Sequence, residues 1–390
     1  MTQPRRRVLD PLAEFLRTEA AAGAVLIAAA VAALAWANLG SSYATVWDHQ
    51  LLGHSIQHWV NDGLMTVFFF VVALEIKREF VHGELRDRRT AITPIAGAIG
   101  GMVVPACVYL AINLGGATRG WGIPIATDIA FAISVLALLG ARVAPGLRLF
   151  LLTLAIVDDL GAILVIALAY STKINAWWLL EAVALLALVI IMRRFASSPW
   201  WYVVPGFLLW FGVYESGVHA TIAGVVLGLC TPIVGRNGTP VLERLETALH
   251  PWVSYVIIPI FALANAGVVL GGGALAAAFA SPVTRGVILG LVIGKPVGVL
   301  VGVALGRLAG GRMPDGVPLG QIAGAAVLAG IGFTVSLFIT DLAFSSPVAI
   351  DHARVGVLAG SLAAGVVGAA ALWAKGRSPT TRARIAQTNG

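Results

Sequence analysis

The stretch LRLFLLTLAIVDDLGAILVIALAY, residues 147–170, sets two consecutive aspartates, Asp158 and Asp159, inside an otherwise apolar segment. About 20 mostly apolar residues of helix cross a bilayer core, so this segment is long enough to span. The pair begins 11 residues from its start, a depth of ~16 Å at ~1.5 Å per residue. Near the midplane an ionised carboxylate is costly and marks a functional site by default. Two neighbours there serve no packing purpose; they suit a site for a cation and for protons.

The composition agrees with a membrane assignment. Of 390 residues 58% are hydrophobic and only 12% charged, where a soluble domain carries about 25% charged residues. Mean hydropathy is +0.89. The net charge of +7 does not read as nucleic-acid binding, because the basic residues are scattered through short loops with no aromatic-interleaved patch. Cys107 and Cys230 both lie in apolar segments, so no disulfide framework is expected. Arg5, Arg6 and Arg7 precede an apolar run, but residues 20–39 form a full-length span rather than the short core of a cleavable signal.

Apolar windows predict an all-α polytopic membrane protein with about twelve spans: 20–38, 60–80, 92–113, 121–140, 147–170, 176–192, 200–214, 218–234, 251–270, 286–305, 320–341 and 353–374. Numbered alternately from an inside start, the inside segments hold 21 Lys and Arg residues and the outside segments four, Arg119, Lys173, Arg285 and Arg354. Lys295, deep within a span, belongs to neither side. That bias follows the positive-inside rule and predicts an even number of spans with both termini cytoplasmic. The division expected is a cytoplasmic N-terminus (1–19), one transmembrane transporter domain (20–374) and a polar cytoplasmic tail (375–390). Trp177, Trp178, Trp200, Trp201 and Trp252 fall near predicted span ends, as an interfacial belt requires.

Lys295, in VILGLVIGKPVGVLVGVAL (287–305), is about halfway along its span. A buried ammonium needs a carboxylate or gives up its proton, and Asp158 and Asp159 match it in depth. Neighbouring helical positions point ~100° apart, so one aspartate faces an aqueous cavity while the other turns toward Lys295; the residues leave open which. The fourth span, GWGIPIATDIAFAISVLALLG (120–140), carries Asp128 at mid-depth after Pro124 and Thr127, and the eleventh, GAAVLAGIGFTVSLFIT (324–340), has Gly330, Gly332 and Thr334 at its centre. Interrupted spans at matching positions in the two halves point to a transporter site at the midplane, with spans 3–5 and 10–12 as inverted-topology repeats. Unwound segments expose helix ends; Asp128 balances the positive kind and Lys295 the negative.

Further charges gather near the predicted cytoplasmic side. Glu75 and Glu79, in ALEIKREFVHGE (73–84), share a helix face beside Arg78. RLETALHP (244–251) offers Arg244, Glu246 and His250. They form either a solvated rim or a charge network that responds to pH. His219 starts the eighth span near the outside, where a lone histidine is more often structural.

The stretches ATDIAFAISVLALLGARV (126–143) and LAIVDDLGAI (154–163) resemble the NhaA family of bacterial sodium/proton antiporters. So do NDGLMTVFFFVVALEIKRE (61–79), SGVHATIAG (216–224), LHPWVSYVIIPIFALANAG (249–267), IGKPVG (293–298) and GIGFTVSLFI (330–339). The likeness runs in unbroken order from about residue 10 to 375. Inverted repeats with broken helices are a known property of that family. The resemblance implies electrogenic exchange of cytoplasmic Na⁺ or Li⁺ for more than one external proton across the bacterial inner membrane. It assigns ion binding and proton carriage to Asp158 and Asp159, the broken helix of the transport assembly to Thr127 and Asp128, and the partner lysine to Lys295. It assigns pH sensing to Glu75, Arg78, Glu79 and Glu246, and a part in the pH response to His219; His250 belongs to the same charged set. Thr247 stands where a well-studied relative has a histidine, so a different pH threshold is expected. Family members dimerise through a short external hairpin after the first span; residues 41–59 occupy that place but hold no Asn-Gly-type turn.

Na⁺ as a hard cation prefers oxygen ligands, which two carboxylates and unwound backbone supply. Mutual repulsion and burial both favour protonation of such a pair, so protons and Na⁺ compete for one site. No G-x-x-x-x-G-K-[ST] loop is present, and neither ATP nor another cofactor is expected; the partners are sodium, protons and membrane lipid. Three rivals use the same features. An intramembrane aspartyl protease needs its aspartates on facing helices, a cation channel needs a carbonyl or charge ring, and a cation-coupled symporter of an organic solute needs that solute for flux.

Overall fold

The computed structural model describes residues 6–171, 174–193, 199–235, 238–313 and 316–375. The expected tail from Gly376 and the first five residues of the N-terminal segment lie outside them. Helices fall on all twelve windows. Eight are long and apolar enough to cross a membrane, from Ala20–Leu39 through Pro347–Lys375. The eleventh window is a pair, Leu319–Leu328 and Phe333–Ala343, bent by 42°, and the sixth to eighth are the shorter apolar helices Ala176–Met192, Val203–Glu215 and Thr221–Cys230. The chain is an all-α polytopic membrane protein.

By contacts the chain divides into two compact units. The first comprises Met1–Ala28, Asp87–Asp158 and Leu270–Gly390, and so gathers spans 3, 4 and the start of 5 with spans 10 to 12, the two arms of the expected repeat. Its third and tenth spans touch backbone to backbone. Gly294, Gly298, Gly302 and Gly306 recur every four residues and share one face. A Cβ at Gly298 would lie 2.1 Å from the Gly100 carbonyl oxygen, and one at Gly302 2.0 Å from that of Ala96. Small residues permit this approach where lipid supplies no hydrophobic drive for helix association.

The second unit comprises Ala29–Arg86 and Asp159–Val269. The second and eighth spans meet by the same device: a Cβ at Gly224 would lie 2.2 Å from the Thr66 carbonyl oxygen. Single π-helical turns interrupt the second span at Trp59–Leu64 and the ninth at Val253–Ile257. The tenth span, in the first unit, has one at Gly290–Gly294, immediately before Lys295. Such turns cluster at functional sites.

Two features go beyond the sequence reading. Residues 41–59 do contain a hairpin: strands Gln50–Leu51 and His54–Ser55 pair antiparallel. Leu52 and Gly53 both take positive φ, 52° and 88°, the condition of a type I′ turn. Leu52 is a strained occupant of that position, which is why the turn is invisible to an Asn-Gly search. The strain, about 1–2 kcal/mol, is offset by ties around the turn, the Ile56 N–H to the His49 carbonyl at 3.0 Å and the Trp59 indole to the Leu51 carbonyl at 2.8 Å. The second is the fourth span, expected to be interrupted, whose first half, Thr118–Ile125, is a 3₁₀ helix.

Candidate ion-binding site

In the first unit the fourth span breaks where Pro124 and Thr127 suggested. After the 3₁₀ segment, Ala126 and Asp128 are extended, and the α-helix resumes at Ile129. Asp128 caps it, accepting from the Phe131 N–H at 3.0 Å. Its other carboxylate oxygen accepts from the Thr334 N–H at 3.1 Å and the Thr334 hydroxyl at 2.8 Å. Thr334 lies in the first turn of Phe333–Ala343. One carboxylate therefore faces the positive ends of two half-helices, where an anion is favoured. The Asp128 N–H donates to the Ile331 carbonyl at 2.6 Å, joining the two breaks through backbone as well.

The opposite pole is built on Lys295. Its ammonium donates to the Ile125 carbonyl, at the negative end of the 3₁₀ segment, and pairs with Asp158 Oδ2 at 2.8 Å. Both side chains are fully buried. Thr127 Oγ1 lies 2.6 Å from the same Asp158 oxygen and 2.9 Å from the Ala329 carbonyl in the other break. Asp158 Oδ1 accepts no hydrogen bond from the described residues. Of the alternatives open in the sequence, Asp158 is the lysine's partner. Asp159 follows it in the continuous helix Pro145–Ala169 and is also buried.

In the second unit Arg78 pairs with Glu246, whose carboxyl is buried while the guanidinium is 40% exposed. His250 lies within electrostatic reach of Arg78, and Glu243 within reach of Glu246. Glu79 is buried, with its carboxylate against Gly83; Glu75 lies one turn before it. His219 is not among these groups. It is half-buried on the connection between Val203–Glu215 and Thr221–Cys230, within electrostatic reach of His58. Sequence reasoning named Thr334 without giving it the anion-binding role it has, and it missed the Ala329 and Ile331 carbonyls. The glycines Gly330 and Gly332 were the available signal, since side chains there would press on the Leu291 carbonyl and the Ser336 hydroxyl.

Two interrupted spans joined over a buried carboxylate–lysine pair, in a helical membrane protein, define a transporter of the secondary type rather than an enzyme. The family model described as Na⁺/H⁺ antiporter 1 matches residues 13–372. The chain is 46% identical to Na(+)/H(+) antiporter NhaA 2 of Pseudomonas syringae pv. syringae, over 95% of this chain and 98% of the relative. It is 45% identical to Na(+)/H(+) antiporter NhaA of Acidovorax sp., over 97% of each, and 44% identical to Na(+)/H(+) antiporter NhaA 3 of Frankia alni, over 93% and 88%. The chain belongs to the NhaA Na⁺/H⁺ antiporter family.

Proposed function

We propose that the protein exchanges Na⁺, or Li⁺, for protons at Asp158 and Asp159, electrogenically and under pH control, in the bacterial inner membrane with both termini cytoplasmic. The observation that carries this reading is the Asp158–Lys295 pair next to a second carboxylate in the same span. A buried pair holds only while both charges are matched. Na⁺ arriving at the two aspartates competes with the Lys295 ammonium for Asp158 and with protons for both carboxylates. The Thr127 hydroxyl offers a further oxygen, and Thr127 with Asp128 ties the site to both helix breaks, so that occupancy and the broken helices are coupled. Alternation of the site between faces then gives exchange. Each net charge moved gains ~2.3 kcal/mol per 100 mV, enough for the membrane potential to drive Na⁺ out.

The pH control is assigned to Glu75, Arg78, Glu79, Glu246 and His250 at the cytoplasmic mouth, with His219 acting from the opposite end of its unit. Dimerisation is assigned to the 50–55 hairpin. The test is Na⁺-induced collapse of a pH gradient in proteoliposomes from pH 6 to 9, comparing the native chain with Asp159→Asn. Collapse that requires Na⁺ and vanishes in the variant supports the exchanger. Full activity in the variant moves the site off Asp159, and a native chain that responds only when an organic solute is added sinks exchange in favour of symport.

A further inference from the structure

The second unit holds a cluster of titratable side chains that neither the aspartate pair nor the Arg78–Glu246 region uses. His54 opens the second hairpin strand and His58 lies in the first turn of the helix that starts at Ile56; their rings stack with centroids 4.6 Å apart and planes 20° from parallel. The Tyr214 hydroxyl, from the seventh span, lies 3.1 Å from His58 Nε2 and 3.3 Å from His54 Nε2. His58 Nε2 also lies 3.3 Å from Asp62 Oδ2. The four groups thus lie in an unbroken series, His54 to Tyr214 to His58 at hydrogen-bonding distance and His58 to Asp62 at ion-pair distance. Exposure falls over its last link, from 36% for the His58 side chain to 12% for that of Asp62.

Several features fit this chain to carrying protons. Histidine is the side chain whose charge changes between pH 5 and 8. Two stacked imidazoles repel when both are cationic, and an acidic group beside one of them favours a proton there. A tyrosine hydroxyl both donates and accepts, so it can pass a proton between the two rings. Asp62 lies in the π-helical turn Trp59–Leu64, whose extra residue per turn re-aims side chains. The Trp210 indole donates to the Asp62 carbonyl at 3.2 Å and the Thr66 hydroxyl at 3.0 Å, and its ring stacks on Tyr214; this fixes the phenol in place. The other titratable groups facing the chain among the described residues are His219, beside His58, and Glu215, beside Tyr214.

We propose that His54, His58, Tyr214 and Asp62 form a second proton-binding site, a relay that collects protons at the outer face and delivers them inward to Asp62. The outer placement follows from the Lys/Arg distribution, and the relay rests on the exchange function proposed above. A packing role for the same residues predicts altered stability but no dependence on the pH of one face.

The test uses the full chain in proteoliposomes with the pH of each face set separately. His54→Gln/His58→Gln is expected to lower Na⁺-driven exchange about a hundredfold at external pH 8, the low end of what a positioned proton-transfer group contributes. At external pH 6, where protons are abundant, its rate converges on that of the native chain, and the dependence on internal pH is unchanged. Tyr214→Phe, which keeps the ring against Trp210, should show the same external-pH defect in weaker form, and it carries the test if the double variant does not fold. External-pH profiles of Tyr214→Phe and the double variant that superimpose on the native profile overturn the relay. Infrared difference spectra between pH 8 and pH 6 read the site without transport. Imidazolium bands lost in the double variant support it, and no histidine protonation in that interval overturns it. A native chain without Na⁺-dependent flux but with these bands refutes the exchange reading alone.

Discussion

Asp128 and Asp158 are both buried mid-span carboxylates in one unit, yet their surroundings differ in kind. Asp128 accepts from two backbone N–H groups and a hydroxyl, divided over both oxygens, and it caps two helices. Asp158 crowds its contacts onto one oxygen, a lysine and a threonine, and leaves the other without a hydrogen bond from the described residues. A carboxylate answered by fixed backbone dipoles is part of the frame. A carboxylate answered by a flexible ammonium has a partner that a cation can replace. On the exchange reading proposed above, the difference separates holding charge from exchanging it, and neither residue type nor depth in the membrane reveals it.

The largest expected effects test that difference directly. Asp158→Asn should reduce Na⁺-driven exchange at least about a hundredfold, in the range lost when an essential proton-transfer group is removed, and by leaving Lys295 buried without its anion it should lower the unfolding midpoint in detergent as well. Asp128→Asn should lower the midpoint too, because the amide nitrogen cannot accept the bonds that one carboxylate oxygen takes, but should leave the apparent Na⁺ affinity of the remaining exchange near native. An equal loss of exchange in both variants would erase the distinction. Lys295→Met leaves Asp158 buried without its cation and should destabilise by about 3–5 kcal/mol. Adding Asp158→Asn to it should restore most of that loss, and thermal unfolding of the two variants checks whether the coupling is there. Thr334→Val removes one hydroxyl donor to the Asp128 carboxylate and should cost about 1.5–3 kcal/mol, with the pH profile of exchange unmoved.

The smallest energetic effect falls at Arg78 and Glu246, where the guanidinium is 40% exposed and such a pair contributes at most about 1 kcal/mol. Its expected signature lies in pH dependence. The pair forms as Glu246 ionises with rising pH and is lost as pH falls. Glu246→Gln stays in the low-pH form throughout, so exchange at pH 8 should drop toward its value at pH 6.5. An unchanged alkaline activation would remove Glu246 from the sensing role.

Most of the helical layout was legible because a membrane span needs a long apolar run with few alternatives. The breaks were legible too, since Pro124, Thr127, Gly330 and Gly332 sit where an uninterrupted helix is hardest to satisfy. The assignment of Asp158 rather than Asp159 to Lys295 was not, because consecutive positions differ only in rotation about a helix whose facing is set by distant packing. The hairpin escaped notice because Leu52 occupies a backbone conformation that its side chain resists. The relay escaped because His54 and His58 meet Tyr214 across 160 and 156 residues of sequence, and a lone histidine near an interface carries no such signal.

The bonds between Asp128 and Thr334 span 206 residues. At about 5–20 residues per second of synthesis, the fourth span waits roughly 10–40 s for the segment that completes its anion site. Through that interval Asp128 has only its own helix to answer it, and the extended residues 126–128 are without the Ile331 carbonyl. The bonds that close the fourth span's break therefore cannot form until the eleventh has been made. Each of the two breaks is left incomplete by its own stretch of sequence and is completed by the other.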